Sequence, residues 1–270
     1  MVDKAVSAPT TEDRFLSGRL VLSQPRRGHR AGIEAVLIAA AAPLAPGETL
    51  VDIGAGVGAA GLCAMARIAD SGAILVEADP ALAELASDNA ARNGLAARTR
   101  VVTCDVTSRG AAARAGLTGG ADHALANPPF YDPAASRLSP HKKSAHGATK
   151  EALDAWMRFA AAALRPGGTL TLVHRADALQ LVLEACSPRF GGLKLCPVHP
   201  RPGLPASRLL VQGTKGSRAP LTLLAGLTLH DNQGNAFLPE IEAVLRGGAG
   251  LSLAGGHPLP HLNGPGDPKA

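Results

Sequence analysis

Aromatic side chains are scarce in this sequence, at 3% of 270 residues with a single Trp and a single Tyr. The interior must therefore be filled by small aliphatic side chains, which alanine-rich helical segments supply. Cysteine is scarce too. Cys63, Cys104, Cys186 and Cys196 share no C-x-x-C spacing, which excludes a zinc site or a dithiol redox motif built on such pairs. They are expected to be reduced thiols, most of them buried, and no metal is expected. Long apolar runs are missing as well. The longest, Ala35 to Ala42, stops at Pro43, far short of the roughly 20 residues that span a bilayer. Met1 to Thr10 lacks the apolar core of a signal peptide. A cytoplasmic protein with no membrane contact is expected.

Acids are absent from three stretches that carry bases. Between Asp13 and Glu34 stand Arg14, Arg19, Arg26, Arg27 and Arg30. Between Asp132 and Glu151 stand Arg137, Lys142, Lys143 and Lys150, and between Glu184 and Asp231 six more Lys or Arg. With a net charge of +5, such segments suit a rim that binds phosphates. Arg26, Arg27, Arg30, Lys142 and Lys143 are the candidate RNA contacts, with solvated loops as the bland alternative. Apolar residues at 46% and charged residues at 18% belong to a globular protein. No repeat is visible, and the oligomeric state is open, a monomer being the expectation.

Residues 1–12 read as disordered and 247–270 as a flexible Gly- and Pro-rich tail. Between them lies a single domain, 13–246. It comprises an N-terminal arm and apolar helix (13–47), an α/β core (48–213) and a C-terminal extension (214–246). From Thr49 strands alternate with helices, as a parallel sheet requires. Leu50 to Ile53 is the first strand, Ala73 to Glu77 the second, Arg100 to Thr103 the third, and Ala124 to Ala126 the fourth. Asp79 and Pro80 open a helix that Asn93-Gly94 closes. A loop rich in His, Lys and Ser spans Tyr131 to Ala148, and a helix carries Leu153, Trp156, Ala160 and Leu164 at helical spacing. Thr169 to Val173 is the fifth strand. Leu193 to Val198 and Arg208 to Gln212 read as a closing antiparallel pair.

Two strand ends carry chemistry. The fourth runs into Asn127-Pro128-Pro129-Phe130. The Asn127 amide oxygen and the Pro128 carbonyl can accept both hydrogens of a planar amino group, the prolines fix the carbonyl, and Phe130 offers a stacking face. Alone, these residues would pass for a turn. Asp52-x-Gly54-x-Gly56-x-Gly58, after the first strand, brings backbone N–H groups to a ligand's anion at a helix N-terminus. Gly56-x-Gly58-x-x-Gly61 also fits a dinucleotide loop, and Glu77, placed to bind ribose hydroxyls, does not separate the two. Asp52 inside the strand end suits a ligand with a free ammonium, and Asp105, ending the third strand, suits an adenine amino group. Together they describe a site for S-adenosylmethionine.

On these residues, and on Gly28 to Leu37 and Glu77-Ala78-Asp79, the chain resembles the class I methyltransferases. Within them it is similar to the bacterial tRNA(Val) (adenine-N6)-methyltransferases, over about Asp13 to Gln212. Glu34 stands where that family usually has Asp. The resemblance implies a doubly wound, Rossmann-like α/β fold with a mostly parallel seven-stranded sheet and an antiparallel closing strand. It implies methylation of the adenine N6 amino group in RNA, most naturally a tRNA. Guanine-N2 in rRNA and glutamine-N5 in a protein present the same NH2 group and are the alternatives. An RNA-binding module with a vestigial fold is the non-enzymatic one.

Overall fold

The computed structural model describes residues 9–28, 30–129, 142–253 and 260–261. A hairpin opens the chain, β1 (Thr10–Phe15) against β2 (Leu20–Pro25), followed by α1 (Ile33–Ala41). The core alternates β3 (Thr49–Ile53), α2 (Ala59–Arg67), β4 (Gly72–Glu77), α3 (Pro80–Arg92), β5 (Thr99–Thr103), α4 (Ala111–Arg114) and β6 (Ala121–Ala126). It continues through α5 (Lys142–Ala163), β7 (Leu164–Arg175), α6 (Leu179–Cys186), β8 (Phe190–His199) and β9 (Arg208–Lys215). Four short pieces, β10 (Thr222–Leu223), β11 (Leu227–Thr228), β12 (Gly250–Leu251) and β13 (Pro260–His261), and helix α7 (Pro239–Leu245) complete it.

The sheet runs β10-β8-β9-β7-β6-β3-β4-β5, with β11 also on β8, and β9 alone is antiparallel to its neighbours. This is the expected doubly wound sheet with its antiparallel closing strand, widened at one edge by two two-residue strands. Leu50, Val51 and Ile53 of β3 are fully buried. An apolar run with no polar alternation suits a central strand covered on both faces. Leu50, Leu75 and Leu125 face a layer formed by α1, α2 and α3. Val51, Ile53, Val76 and Ala124 face α5 and α6. Helix α1 is buried at every position from Ala35 to Ala41, as a helix apolar all round must be. The chain leaves β3 toward β4 and β5, then crosses back to place β6 on the other side of β3. Ligands bind outside the strand ends at such a reversal.

Three sequence expectations are corrected. The segment read as disordered ends earlier, because Thr10 to Glu12 pairs with Ser23 to Pro25 in β1. Its polar side chains have partners in the fold, Glu12 pairing with Arg92 and Thr11 accepting from Arg30. The loop read through Ala148 stops sooner, since α5 begins at Lys142. The tail is not loose throughout. Ala249, Leu251 and Leu253 are buried among α1 and α7, and Arg67 donates to the carbonyls of Val244 and Ala249. Glycines on either side mask that alternation in the sequence. None of the described helices is long and apolar enough to cross a membrane.

Candidate active site

A cavity of about 400 Å³ opens at the carboxyl ends of β3, β4, β5 and β6, within the ~300–1,000 Å³ range of small-molecule sites. Each strand end contributes what it carries: Asp52 within β3 with Gly54 and Gly56 after it, Glu77 closing β4, Asp105 after β5, and Asn127 and Pro129 after β6.

The glycine loop is held by backbone and carboxylate together. Ala55 N donates to Val76 O at 2.9 Å, and Gly56 N to Glu77 Oε2 at 2.8 Å. Glu77 Oε1 accepts from Asp79 N at 2.9 Å. Glu77 therefore ties the loop to the next helix and still stands at the cavity wall. Gly54 and Gly56 have φ of +65° and +55°, where side chains other than glycine are strained. A Cβ on Gly56 would meet nothing within 4 Å, so it would intrude on the cavity. Gly54 is different. Its Cβ would lie 2.2 Å from Trp156 Cη2, the edge of the indole occupying the space over the bare backbone. Gly54→Ala is thus expected to destabilise the fold by about 1–3 kcal/mol through overpacking, read as a lower melting temperature. An unchanged melting curve would mean that the indole yields.

Gly58 does not take the expected place. It precedes α2 with φ +86°, and a Cβ there would press on Leu75 and Leu62. It packs helix against strand, and it is not among the residues lining the cavity.

Asp52 is 3% exposed and accepts one hydrogen bond, from Gly61 N at 2.8 Å. Burial pushes its carboxyl up to about 7, aided by the Glu77 charge and opposed by the Gly61 bond. Such a group is half neutral near physiological pH and favours a cation beside it. Asp105 is exposed, and hydrogen bonds from the Thr107 hydroxyl and amide hold its carboxyl below the usual range. It lines the cavity as a fixed anion, but Oδ1 is spent on its own turn. Oδ2 accepts only a 3.3 Å contact from Ser108 and faces a ligand more freely.

Asn127 follows the fully buried Ala126 and is half-buried on the cavity wall. Among the described residues nothing hydrogen-bonds its side-chain amide. Pro128 is buried and does not line the cavity, while Pro129 is exposed and does. Phe130 lies outside the described residues.

Ala31 and Ala35, from the Gly28 to Leu37 motif, also line the cavity, as do Gln24, Leu82 and Trp156, which the sequence did not mark as site residues. Trp156 read as a core residue, and it is one, with its edge serving as a wall. Gln24 is 2% exposed; it donates to Asp13 Oδ2 at 2.8 Å and accepts from Ala31 N at 2.8 Å. A buried glutamine at the end of a short strand was the available signal.

The basic segments are acid-free only along the chain. Arg30 donates to Asp13, to Thr11 Oγ1 and to Pro25 O, so its charge is already matched by a carboxylate. Lys150 pairs with Glu184 at 2.7 Å, Arg189 with Asp154 at 2.8 Å and Arg208 with Glu34 at 3.2 Å. Arg26 and Arg27 are exposed in the bend after Gln24, Arg26 bonding Thr10 O at 3.3 Å. The side chains of Lys142 and Lys143 lie outside the described residues.

Known proteins are similar to this chain in sequence and in fold. A solved structure of a predicted O-methyltransferase from Agrobacterium tumefaciens is 33% identical, with TM-score 0.67 over 79% of this chain and 95% of that one. Two curated tRNA1(Val) (adenine(37)-N6)-methyltransferases are each 29% identical. The Serratia proteamaculans protein matches over 60% of this chain and 62% of its own length, the Enterobacter one over 49% and 53%. The chain thus spans between half and two thirds of these curated relatives.

The donor set fits S-adenosylmethionine. A buried carboxylate suits a cationic ligand, Glu77 stands at the cavity wall, and the Gly56 position leaves room for close approach. The model of the methyltransferase small domain family matches residues 34–185, and the chain belongs to that family, with S-adenosylmethionine as its cofactor.

Proposed function

We propose that this enzyme methylates the N6 amino group of an adenine in RNA, a tRNA being the favoured substrate. The observation that carries the reading is Asn127. A strand end delivers a carboxamide with no partner among the described residues to the wall of the cofactor cavity. Its oxygen accepts one hydrogen of the acceptor's amino group. The peptide from buried Pro128 to wall-lining Pro129 supplies the carbonyl for the other. Held this way, the nitrogen lone pair turns out of conjugation toward the methyl carbon, and orientation supplies much of the rate. The cofactor supplies an electrophilic methyl group. The chain's own residues bind and orient, and the amino proton leaves to water after transfer. Stacking on Phe130 belongs to the proposal, as does the ribose role of Glu77.

The 29% identity to adenine-N6 enzymes supports the base, and the exposed Arg26 and Arg27 beside Gln24 support the polyanion. An oxygen acceptor is the other possibility that a relative's name raises. A hydroxyl must lose its proton to become a good nucleophile. Among the described residues the cavity lining holds no His or Lys, and its acids Asp52, Glu77 and Asp105 each accept a backbone N–H of the fold. That chemistry favours nitrogen.

Purified enzyme incubated with labelled cofactor and total RNA should leave N6-methyladenosine in the nucleosides, as read by mass spectrometry. Label on guanosine N2, on protein glutamine or only on small molecules would refute the adenine reading. The rim has its own check. Replacing Arg26, Arg27, Lys142 and Lys143 together by Ala is expected to weaken RNA binding. It should also flatten the salt dependence by about 0.7–0.9 in log–log slope for each phosphate that is no longer neutralised. An unchanged slope would mean these charges face solvent.

A further inference from the structure

Strand β2 is paired with β1 along one edge. Its other edge is closed by a helix. Val21 N donates to Asn93 Oδ1 at 2.9 Å, and Val21 O accepts from Asn93 Nδ2 at 2.8 Å. Two residues on, Ser23 N donates to Asn89 Oδ1 at 2.8 Å and Ser23 O accepts from Asn89 Nδ2 at 3.1 Å. Each carboxamide stands in for one residue of a neighbouring strand. The match is metric, because four residues of helix rise about 6 Å and two residues of strand about 6.6 Å. Asparagine is a poor helix former, so Asn89 inside α3 needs such a cause, whereas Asn93 is the cap that ends the helix.

The two asparagines are not equivalent. Asn93 Nδ2 spends its other hydrogen on Asn89 O at 2.7 Å, inside α3. Asn89 Nδ2 spends it on Val57 O at 3.0 Å, in the glycine loop. Asn89 is fully buried and does not line the cavity.

We propose that Asn89 is a positioning residue, one carboxamide that locks the N-terminal hairpin to the glycine loop. The loop is thereby held in its cofactor-binding shape, and Gln24, next along β2, is held at the cavity wall. Hairpin and cofactor are consequently linked: what orders one orders the other. A loop left to order itself on binding would lose affinity for that entropy. The inference rests on the cavity being the cofactor's site.

The test is calorimetry with S-adenosylmethionine on the full chain. Asn89→Asp keeps the acceptor for Ser23 N and loses both donor bonds, while Asn93→Asp loosens the same hairpin without touching the loop. Asn89→Asp should weaken binding roughly tenfold or more, and Asn93→Asp by no more than about twofold, even if both melt earlier. Equal losses, or none, would overturn the proposal. A wild-type protein that takes up no S-adenosylmethionine would instead refute the cofactor site itself. Hydrogen exchange on the wild type covers the case in which Asn89→Asp does not fold. Saturating cofactor should slow exchange at the Ser23 amide, which is held by Asn89, more than at Val21. No protection at Ser23 would likewise overturn it.

Discussion

Replacing Asn127 by alanine is expected to lower the methyl-transfer rate at saturating substrates on the order of a hundredfold, the scale of losing one preorganised hydrogen-bonding group at an active site. The lost alignment acts in the transition state, so kcat should fall more than KM rises. Affinity for S-adenosylmethionine should hardly change, because Glu77, Asp52 and the glycine loop remain in place. Stability should hardly change either. The Asn127 carboxamide is half-buried and bonds no described residue, so its removal orphans nothing in the fold. Asn127→Asp keeps an acceptor of the same shape and should retain activity above that of the alanine form. Single-turnover kinetics with RNA would separate the steps. A folded alanine variant transferring methyl groups at the original rate would return Asn127 to Phe130 to the status of a turn.

The parts of this site that the sequence reveals are those set by local rules. Asp79 with Pro80 opens α3 as capping chemistry predicts, Asp79 Oδ1 accepting from Ala81 N at 2.8 Å. The acids and glycines at strand ends can be counted off because each strand is an apolar run with a clear finish. What the sequence hides depends on long-range juxtaposition. Gly54 and Trp156 are 102 positions apart, and nothing local shows that an indole covers that glycine. Arg30 looks unopposed until the hairpin folds Asp13 back onto it. Asn89 looks like a weak point in a helix, and Asn93 only like its end, until β2 is laid beside them. Gly58 fits a ligand-loop pattern by spacing, yet Leu75 and Leu62 claim it for packing.

The substitution Asp52→Asn should make the cofactor-free protein more stable at pH 8 and a poorer binder of S-adenosylmethionine. The stability side follows from linkage. The folded carboxyl titrates at about 7 against an ordinary value of 3.8. A raised folded-state value means the contribution to stability is fully present below the unfolded value and is lost as pH rises through the folded one. Wild type should therefore lose up to about 4 kcal/mol of this contribution between about pH 4 and pH 7. Asp52→Asn has no such charge to bury, and its amide oxygen can still accept from Gly61 N–H. Urea denaturation of both proteins across pH should show curves that coincide near pH 4 and diverge toward pH 8, with the variant above. The binding side follows from charge. A cationic ligand beside Asp52 favours the carboxylate, so cofactor uptake by wild type at pH 6 should release a proton, and uptake by Asp52→Asn should release none from this site. Removing the charge-assisted interaction should weaken binding roughly ten- to a hundredfold. Calorimetry in two buffers of different ionisation heat measures the proton, and equal proton release by both proteins would place the cofactor's cation away from Asp52.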